Sequence, residues 1–387
     1  MSASASASAS ATHLSSSSGT ALALQQARAC LFVTDPNPRV GCVLALPDGT
    51  VVGVGQTQRV GGAHAEIMAL RDAAARGFSV AGATAYVTLE PCAHHGRTGP
   101  CCDALITAGI ARVTACIADP NPLVAGQGFE RLRAAGVEVR VGEGAGESRA
   151  LNIGFFSRMV RKMPWVRMKT AASLDGKTAL ENGRSQWITG DAARADGHAW
   201  RARASAVLTG VGTVIEDDPL LDVRLVETPR QPHLVIVDSR LQTPPASRLF
   251  DVPDRQVWIY CASGDETRSA ALEARGASVT CIANPHGKVD LPALLRDLAA
   301  REVNELHVEA GEKLNGSLLR EGLVDELLVY LAPKFIGSGL GIASAPFAGG
   351  PLTDLAQATA LEFMSVDRFG PDLRIVARVV GRDAFEG

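Results

Sequence analysis

Thr88-Leu89-Glu90-Pro91-Cys92-Ala93-His94-His95-Gly96-Arg97-Thr98-Gly99-Pro100-Cys101-Cys102, residues 88–102, crowds three thiols into one short stretch between an apolar run and a helical pattern. Upstream, His64-Ala65-Glu66 stands at the head of another helical pattern. His64, Cys92 and Cys101 offer one imidazole and two thiolates. That donor set suits Zn²⁺ and leaves its fourth tetrahedral position open to water, as catalytic rather than structural zinc sites do. Glu66, two residues from His64, can reach such a water without binding the metal. Cys101 opens a helix, where the positive end of the dipole favours thiolate over thiol. A closed structural site with Cys102, His94 or His95 as fourth ligand is the alternative, and it gives Glu66 no task.

The flanking pattern supplies the layers. A helical period from Ala21 to Phe32 ends at Asp35-Pro36-Asn37-Pro38, because proline cannot continue a helix and restricts the residue before it. Two β-rich runs, 40–46 and 51–54, are joined by Asp48-Gly49, a hairpin signal. Helices at 64–76, 101–108 and 126–135 then alternate with strands at 84–89, 113–117 and 137–141. This spacing predicts a three-layer α/β/α domain, with a sheet covered by helices. Residues 1–19, almost all Ser and Ala, read as a disordered leader, since they bury too little surface to offset ordering entropy.

A basic stretch meeting Met163-Pro164 marks an expected boundary, giving a deaminase domain over 20–163 and a second domain over 164–387. Beyond it, strands at 165–170, 206–209, 234–237, 257–260, 305–308, 326–332 and 373–380 alternate with helices at 191–203, 291–301 and 313–321. Short connections between them imply a second α/β domain with a mostly parallel sheet.

A length of 387 residues fits two domains. A formal charge of -3 argues against broad attraction to nucleic acid. No apolar run has the length of a membrane span and no secretory signal is present, so a cytoplasmic location is expected. Of eight cysteines, the five outside the 88–102 stretch and its surroundings, Cys30, Cys42, Cys116, Cys261 and Cys281, read as inert core residues.

His-x-Glu followed by Pro-Cys matches the signature of zinc deaminases, in which zinc lowers the pKa of its water and a glutamate carries the proton to the departing amine. Here the two cysteines are separated by eight residues rather than two. A nucleic-acid (tRNA-type) deaminase with an unrelated C-terminal domain would share the zinc core, but the chain lacks a basic stripe with interleaved aromatics. The stretches DPNPRVGCVL, GAHAEIMAL, ATAYVTLEPCAHHGRTGPCCDALI, KTAASLDGKTA, SQWITG, VEAG and VDELLVYLAPKFIG closely resemble, in order, the bifunctional riboflavin-biosynthesis deaminase-reductase family. Gly99 departs from the family, which usually has proline there.

The resemblance implies a cytidine-deaminase-like domain followed by a dihydrofolate-reductase-like one. It also implies deamination of 2,5-diamino-6-(5-phosphoribosylamino)pyrimidin-4(3H)-one and NADPH-dependent reduction of the ribosyl group. Zinc ligands carry over to His64, Cys92 and Cys101, with Glu66 as proton carrier and Asn37 as a base-contacting candidate. Cofactor positions carry over to Ala171, Trp187, Thr213, Asp217, Ser239 and the turn Gly311, Glu312, Lys313, Leu314, Asn315, Gly316 and Ser317. Substrate positions carry over to Ser185, Arg201, Leu221, Arg224 and Glu309. Arg201 and Arg224 suit the 5'-phosphate, because a guanidinium offers paired donors. Arg240 is a candidate for the cofactor's 2'-phosphate. Lys169 could polarise the sugar or pair with Asp175. By resemblance a homo-oligomer is expected.

Overall fold

The computed structural model describes residues 16–93, 99–122, 124–345, 347 and 350–385. Two compact units divide the chain, 1–152 and 153–387. The division precedes Pro164 because α6 (Ile153–Arg161) packs on strands of the second unit.

The first unit runs α1 (Ser16–Ala29), β1 (Gly41–Ala45), β2 (Val51–Gln56), α2 (Ala65–Ala75), β3 (Thr84–Val87), α3 (Cys101–Thr107), β4 (Arg112–Ala115), α4 (Gln127–Ala134), β5 (Glu138–Val141) and α5 (Ala145–Leu151). Helix α1 starts at Ser16 rather than Ala21, so the last residues of the expected leader belong to it; the rest of that leader lies outside the described residues. The sheet order is β2-β1-β3-β4-β5, antiparallel through β1 and parallel from β3 to β5. Gly49, with φ of 86°, turns the expected β1–β2 hairpin.

Side chains alternate across a strand, so β1 and β2 show two different faces. On one, Val43, Ala45 and Val54 pack with Ala23 of α1. On the other, a Cβ at Gly53 or Gly55 would stand 2.3 Å from the carbonyl oxygen of Ala69 or Ala65. Glycine on the strand and alanine on the helix thus let α2 lie directly on the sheet, which fixes its N-terminus.

The second unit continues from α6 with β6 (Trp165–Ser173), β7 (Lys177–Leu180), α7 (Asp191–Arg203), β8 (Ala206–Gly210), α8 (Val211–Asp217), β9 (His233–Val237), β10 (Val257–Cys261), α9 (Glu266–Glu273), β11 (Ala277–Cys281), α10 (Leu291–Ala300), β12 (Glu305–Val308), α11 (Glu312–Arg320), β13 (Glu326–Ala332), β14 (Gly339–Gly341), β15 (Leu361–Phe369) and β16 (Asp372–Val379). A nine-stranded sheet has the order β11-β10-β9-β8-β12-β6-β13-β16-β15. Its first seven strands are parallel; β16 pairs antiparallel with β13 and with β15. Helix α10 shows why such elements form: Asp290 caps it by accepting the Ala293 N–H at 2.9 Å, and Leu291, Leu294, Leu295 and Leu298 put one apolar face into the core.

One expectation fails here. Cys261 and Cys281 are not separate core thiols: they face each other in register on neighbouring strands, 4.6 Å apart at Cα, and form a disulfide. Cys30, Cys42 and Cys116 are buried free thiols.

Candidate active sites

The first site gathers at the N-termini of two helices. His64 is the N-cap residue of α2 and Cys101 the first residue of α3, while Cys92 follows β3. The His64 Nδ1 lies 3.6 Å from Cys92 Sγ and 3.3 Å from Cys101 Sγ, and the three donor atoms fall within 4.8 Å of one another. Zinc bonds of ordinary length meeting at a tetrahedral angle require N···S separations of roughly 3.6 Å, so these residues fit the ion. The protonation pattern agrees. The hydrogen bond from Cys101, with help from His64, pushes the Cys92 thiol down to about 4, whereas its thiolate neighbour and burial hold the Cys101 thiol far above its usual range. A cation held between them would favour ionisation of both.

Cys102 does not complete the set. Its thiol donates to Pro91 O at 3.0 Å, away from the other donors. His94 and His95 lie outside the described residues. Glu66, 4% exposed in the first turn of α2, is pushed up to about 7, first by burial and then by the Cys92 thiolate. A carboxyl poised near neutrality suits repeated proton transfer. Asn37 sits in the turn closed by its own N–H on Thr34 O at 2.8 Å.

Glu90 was not singled out by the sequence reading. It is buried, and its carboxylate accepts backbone N–H groups of Asp119 at 3.1 Å, Gly126 at 2.9 Å and Gly128 at 2.9 Å. It ties the loop before α4 to the strand end that carries Cys92. Its place directly before Pro91-Cys92 carries no spacing rule that marks this role.

The second site is a cleft of about 1660 Å³ at the carboxyl ends of β6, β8 and β12, where open α/β sheets bind ligands. Single small-molecule sites measure roughly 300–1,000 Å³, so this one has room for a cofactor and a substrate together. All five substrate positions, Ser185, Arg201, Leu221, Arg224 and Glu309, line it. So do Ala171, Trp187, Thr213, Asp217, Gly311, Glu312 and Asn315 of the cofactor set; Ser239, Lys313, Leu314, Gly316 and Ser317 do not.

Glu309 is the electrostatic centre of the cleft. Arg201 grips it through Nε and Nη2, and Lys169 Nζ lies 3.7 Å away. Burial opposes its charge, but Arg201 and then Lys169 hold the carboxyl well below the usual carboxylate range. Burial also lowers the Lys169 pKa, with Glu309 opposing. Lys169 therefore pairs with Glu309 and not with Asp175, whose carboxylate accepts from Ser173 Oγ and from Gly337 N at 2.7 Å. Trp187 is 62% exposed with Arg194 stacked 4.6 Å from its ring centroid, so it is not a core residue. Ser239 Oγ accepts from Val289 N, and Arg240 beside it is exposed. In the glycine turn, Glu312 accepts from Gly341 N, Leu314 packs against the core, and Asn315 Nδ2 donates to Ala310 O and Ile342 O.

Residues 164–375 match the RibD C-terminal domain, and residues 15–117 match the cytidine and deoxycytidylate deaminase zinc-binding region. Riboflavin biosynthesis protein RibD of Escherichia coli K12 is 44% identical over 364 residues, covering 91% of this chain and 96% of that protein. The chain belongs to the RibD family. RibD of Aquifex aeolicus is 39% identical, over 92% of this chain and 96% of its own. Among solved structures, Acinetobacter baumannii RibD superposes with a TM-score of 0.82 at 38% identity, covering 94% of this chain and 98% of the other. A diaminohydroxyphosphoribosylaminopyrimidine deaminase/5-amino-6-(5-phosphoribosylamino)uracil reductase from Thermotoga maritima does so with 0.80 at 33% identity, covering 94% and 98%. RibD relatives carry both halves, so the C-terminal domain is not an unrelated appendage and the nucleic-acid deaminase reading loses its ground. Both fold classes expected from the resemblance hold, as do the zinc deaminase and NADPH-dependent reductase activities. Among the described residues no helix is long and apolar enough to cross a membrane.

Proposed function

We propose that the chain converts 2,5-diamino-6-(5-phosphoribosylamino)pyrimidin-4(3H)-one in two steps, hydrolytic deamination in the first unit and reduction in the second. The observation that carries the first step is a buried carboxyl, Glu66, beside a three-donor set that fits zinc and has no fourth protein donor among the described residues. His64, Cys92 and Cys101 would hold the ion, which supplies Lewis-acid chemistry that makes water a nucleophile near neutral pH. Glu66 takes a proton from the water that adds to the ring carbon and delivers it to the amine; the C–N bond breaks, the amine departs as ammonia and the water oxygen stays on the ring as the carbonyl. Replacing Glu66 by Gln should leave one zinc per chain by elemental analysis and lower the rate of ammonia release about 10²–10⁴-fold. Full activity in that variant overturns the assignment.

For the second step NADPH supplies the hydride that reduces the ribosyl carbon to the ribityl level. Three of the five N–H donors of Arg201 are engaged, two by Glu309 and one by Asp222 O. Arg201 therefore fixes Glu309, and half-exposed Arg224 is left to meet the phosphate.

A homo-oligomer is part of the same proposal. Among the described residues strand β15 ends the nine-stranded sheet with one edge unpaired, and it exposes Phe363 at 69% and Val366 at 56%. Bare apolar edges of this kind are otherwise an aggregation hazard, which a second copy would cover.

A further inference from the structure

The segment 218–224 after α8 forms one wall of the second cleft. Its backbone is of a kind that has to be imposed: Asp218 and Leu221 both lie in the left-handed region, with φ of 39° and 49°, which a side chain as bulky as leucine avoids. Such conformations persist where the surroundings over-determine them, and here side chains grip consecutive residues. Arg255 donates to Leu220 O and Leu221 O, each at 2.8 Å, Arg201 donates to Asp222 O at 2.9 Å, and the Gln231 amide bonds both Val223 N and Val223 O. The last grip falls on Arg224, whose N–H is accepted by Nδ1 of His198 at 3.3 Å.

His198 belongs to α7, is 6% exposed and lines the cleft beside Arg201. The charged groups facing it are Arg201 on its own helix, Arg224 and Asp222 on the wall segment and Glu309 beyond β12. Burial, then the two guanidinium groups, lower its pKa to about 4, so at neutral pH Nδ1 stays an acceptor. Arg224 pairs through Nη1 with Asp222 and is 50% exposed, which leaves guanidinium surface for an anion.

We propose that His198 is a positioning residue for phosphate specificity: by accepting the Arg224 N–H it fixes the wall segment in the pose that presents Arg224 to the phosphate monoester of the reductase substrate. This rests on reading the cleft as the reductase site. Guanidinium is the group suited to a phosphate's paired oxygens, and its reach depends on where the backbone beneath it is held.

Reductase kinetics of the full chain, with 5-amino-6-(5-phosphoribosylamino)uracil and with its dephosphorylated counterpart, test this on wild type, His198→Asn, His198→Gln and His198→Leu. Asparagine sets an acceptor near the place of Nδ1; glutamine sets one near Nε2. His198→Leu and His198→Gln should raise KM for the phosphorylated substrate about tenfold, a factor equivalent to roughly 1.4 kcal/mol, with kcat and the KM of the dephosphorylated compound unchanged. His198→Asn should stay near wild type. NADPH binding identifies any variant that fails to fold, and the Asn/Gln contrast decides the matter if the Leu variant is lost. Equal effects on both substrates, a fall in kcat alone, or Asn and Gln behaving alike overturns the proposal. If the wild type itself shows no preference for the phosphorylated substrate, the reading of the cleft fails and takes this inference with it.

Discussion

Arg167 shows how much charge this fold buries and on what terms. It is 1% exposed, donates to Glu305 at 2.8 Å and to Glu326 at 2.5 Å, and those carboxylates also accept from Arg203 and Arg378. Losing one partner from such a network strands the others in low dielectric. Arg167→Met should therefore cost about 3–5 kcal/mol in urea unfolding at pH 7; a loss under about 1 kcal/mol would show that the network relaxes. Burial opposes the charge on Glu326, but Arg167 and Arg378 outweigh it and its pKa is lowered from 4.5. A depressed carboxyl stabilises the fold above its unfolded pKa and loses that contribution as pH falls through the folded value. Wild-type stability should thus decline below about pH 4.5, and the penalty of Arg167→Met should shrink in the same range.

At the scale of elements, Gly316 separates two roles that look alike in sequence. By resemblance Gly316 belongs to a turn that contacts the cofactor, and glycine in such a turn lets backbone amides approach a phosphate. In the structure Gly316 lies inside α11, and a Cβ there would stand 1.8 Å from Ser344 O. Its smallness serves helix packing. Gly316→Ala should lower stability by about 1–3 kcal/mol with NADPH absent; a variant of normal stability with weakened NADPH binding would restore the phosphate role. Elements with a clear apolar period were legible: the residues 191–203, 305–308 and 326–332 form the expected helix and strands. Elements without one were missed. Strand β15 is exposed or half-buried throughout, and its half-buried positions Ser365, Asp367 and Phe369 mix polar with apolar residues, so its sequence has no apolar alternation to read. Strand β11 is similarly open, and Cys281 became visible as a bonded residue only once its pairing with β10 brought it opposite Cys261. Helix α6 looks in sequence like a basic stretch because Arg158 and Arg161 stand out, although Ile153, Phe155 and Phe156 bury its other side. The candidate metal donors His64, Cys92 and Cys101 come together as their spacing suggests, because metal chemistry allows few residue types at few spacings. Glu90 and His198 were not legible, since a carboxylate or an imidazole that holds backbone N–H groups leaves no spacing rule behind.

On the scale of the whole molecule, the exposed β15 edge predicts association. Light scattering should give a mass of at least two chains, and Phe363→Lys with Val366→Lys should shift it to one chain while leaving the fold intact by circular dichroism. A wild-type monomer at micromolar concentration would remove the case for this edge. One chain is expected to hold two separable activities that act in sequence. Ammonia release and NADPH oxidation should be followed together on 2,5-diamino-6-(5-phosphoribosylamino)pyrimidin-4(3H)-one, for wild type and for Glu66→Gln. Wild type should give both signals and Glu66→Gln should lose both by about 10²–10⁴-fold, while still oxidising NADPH at the wild-type rate when given the deaminated compound. Ammonia release by Glu66→Gln near the wild-type rate, or no NADPH oxidation by wild type with the deaminated compound, would contradict this expectation.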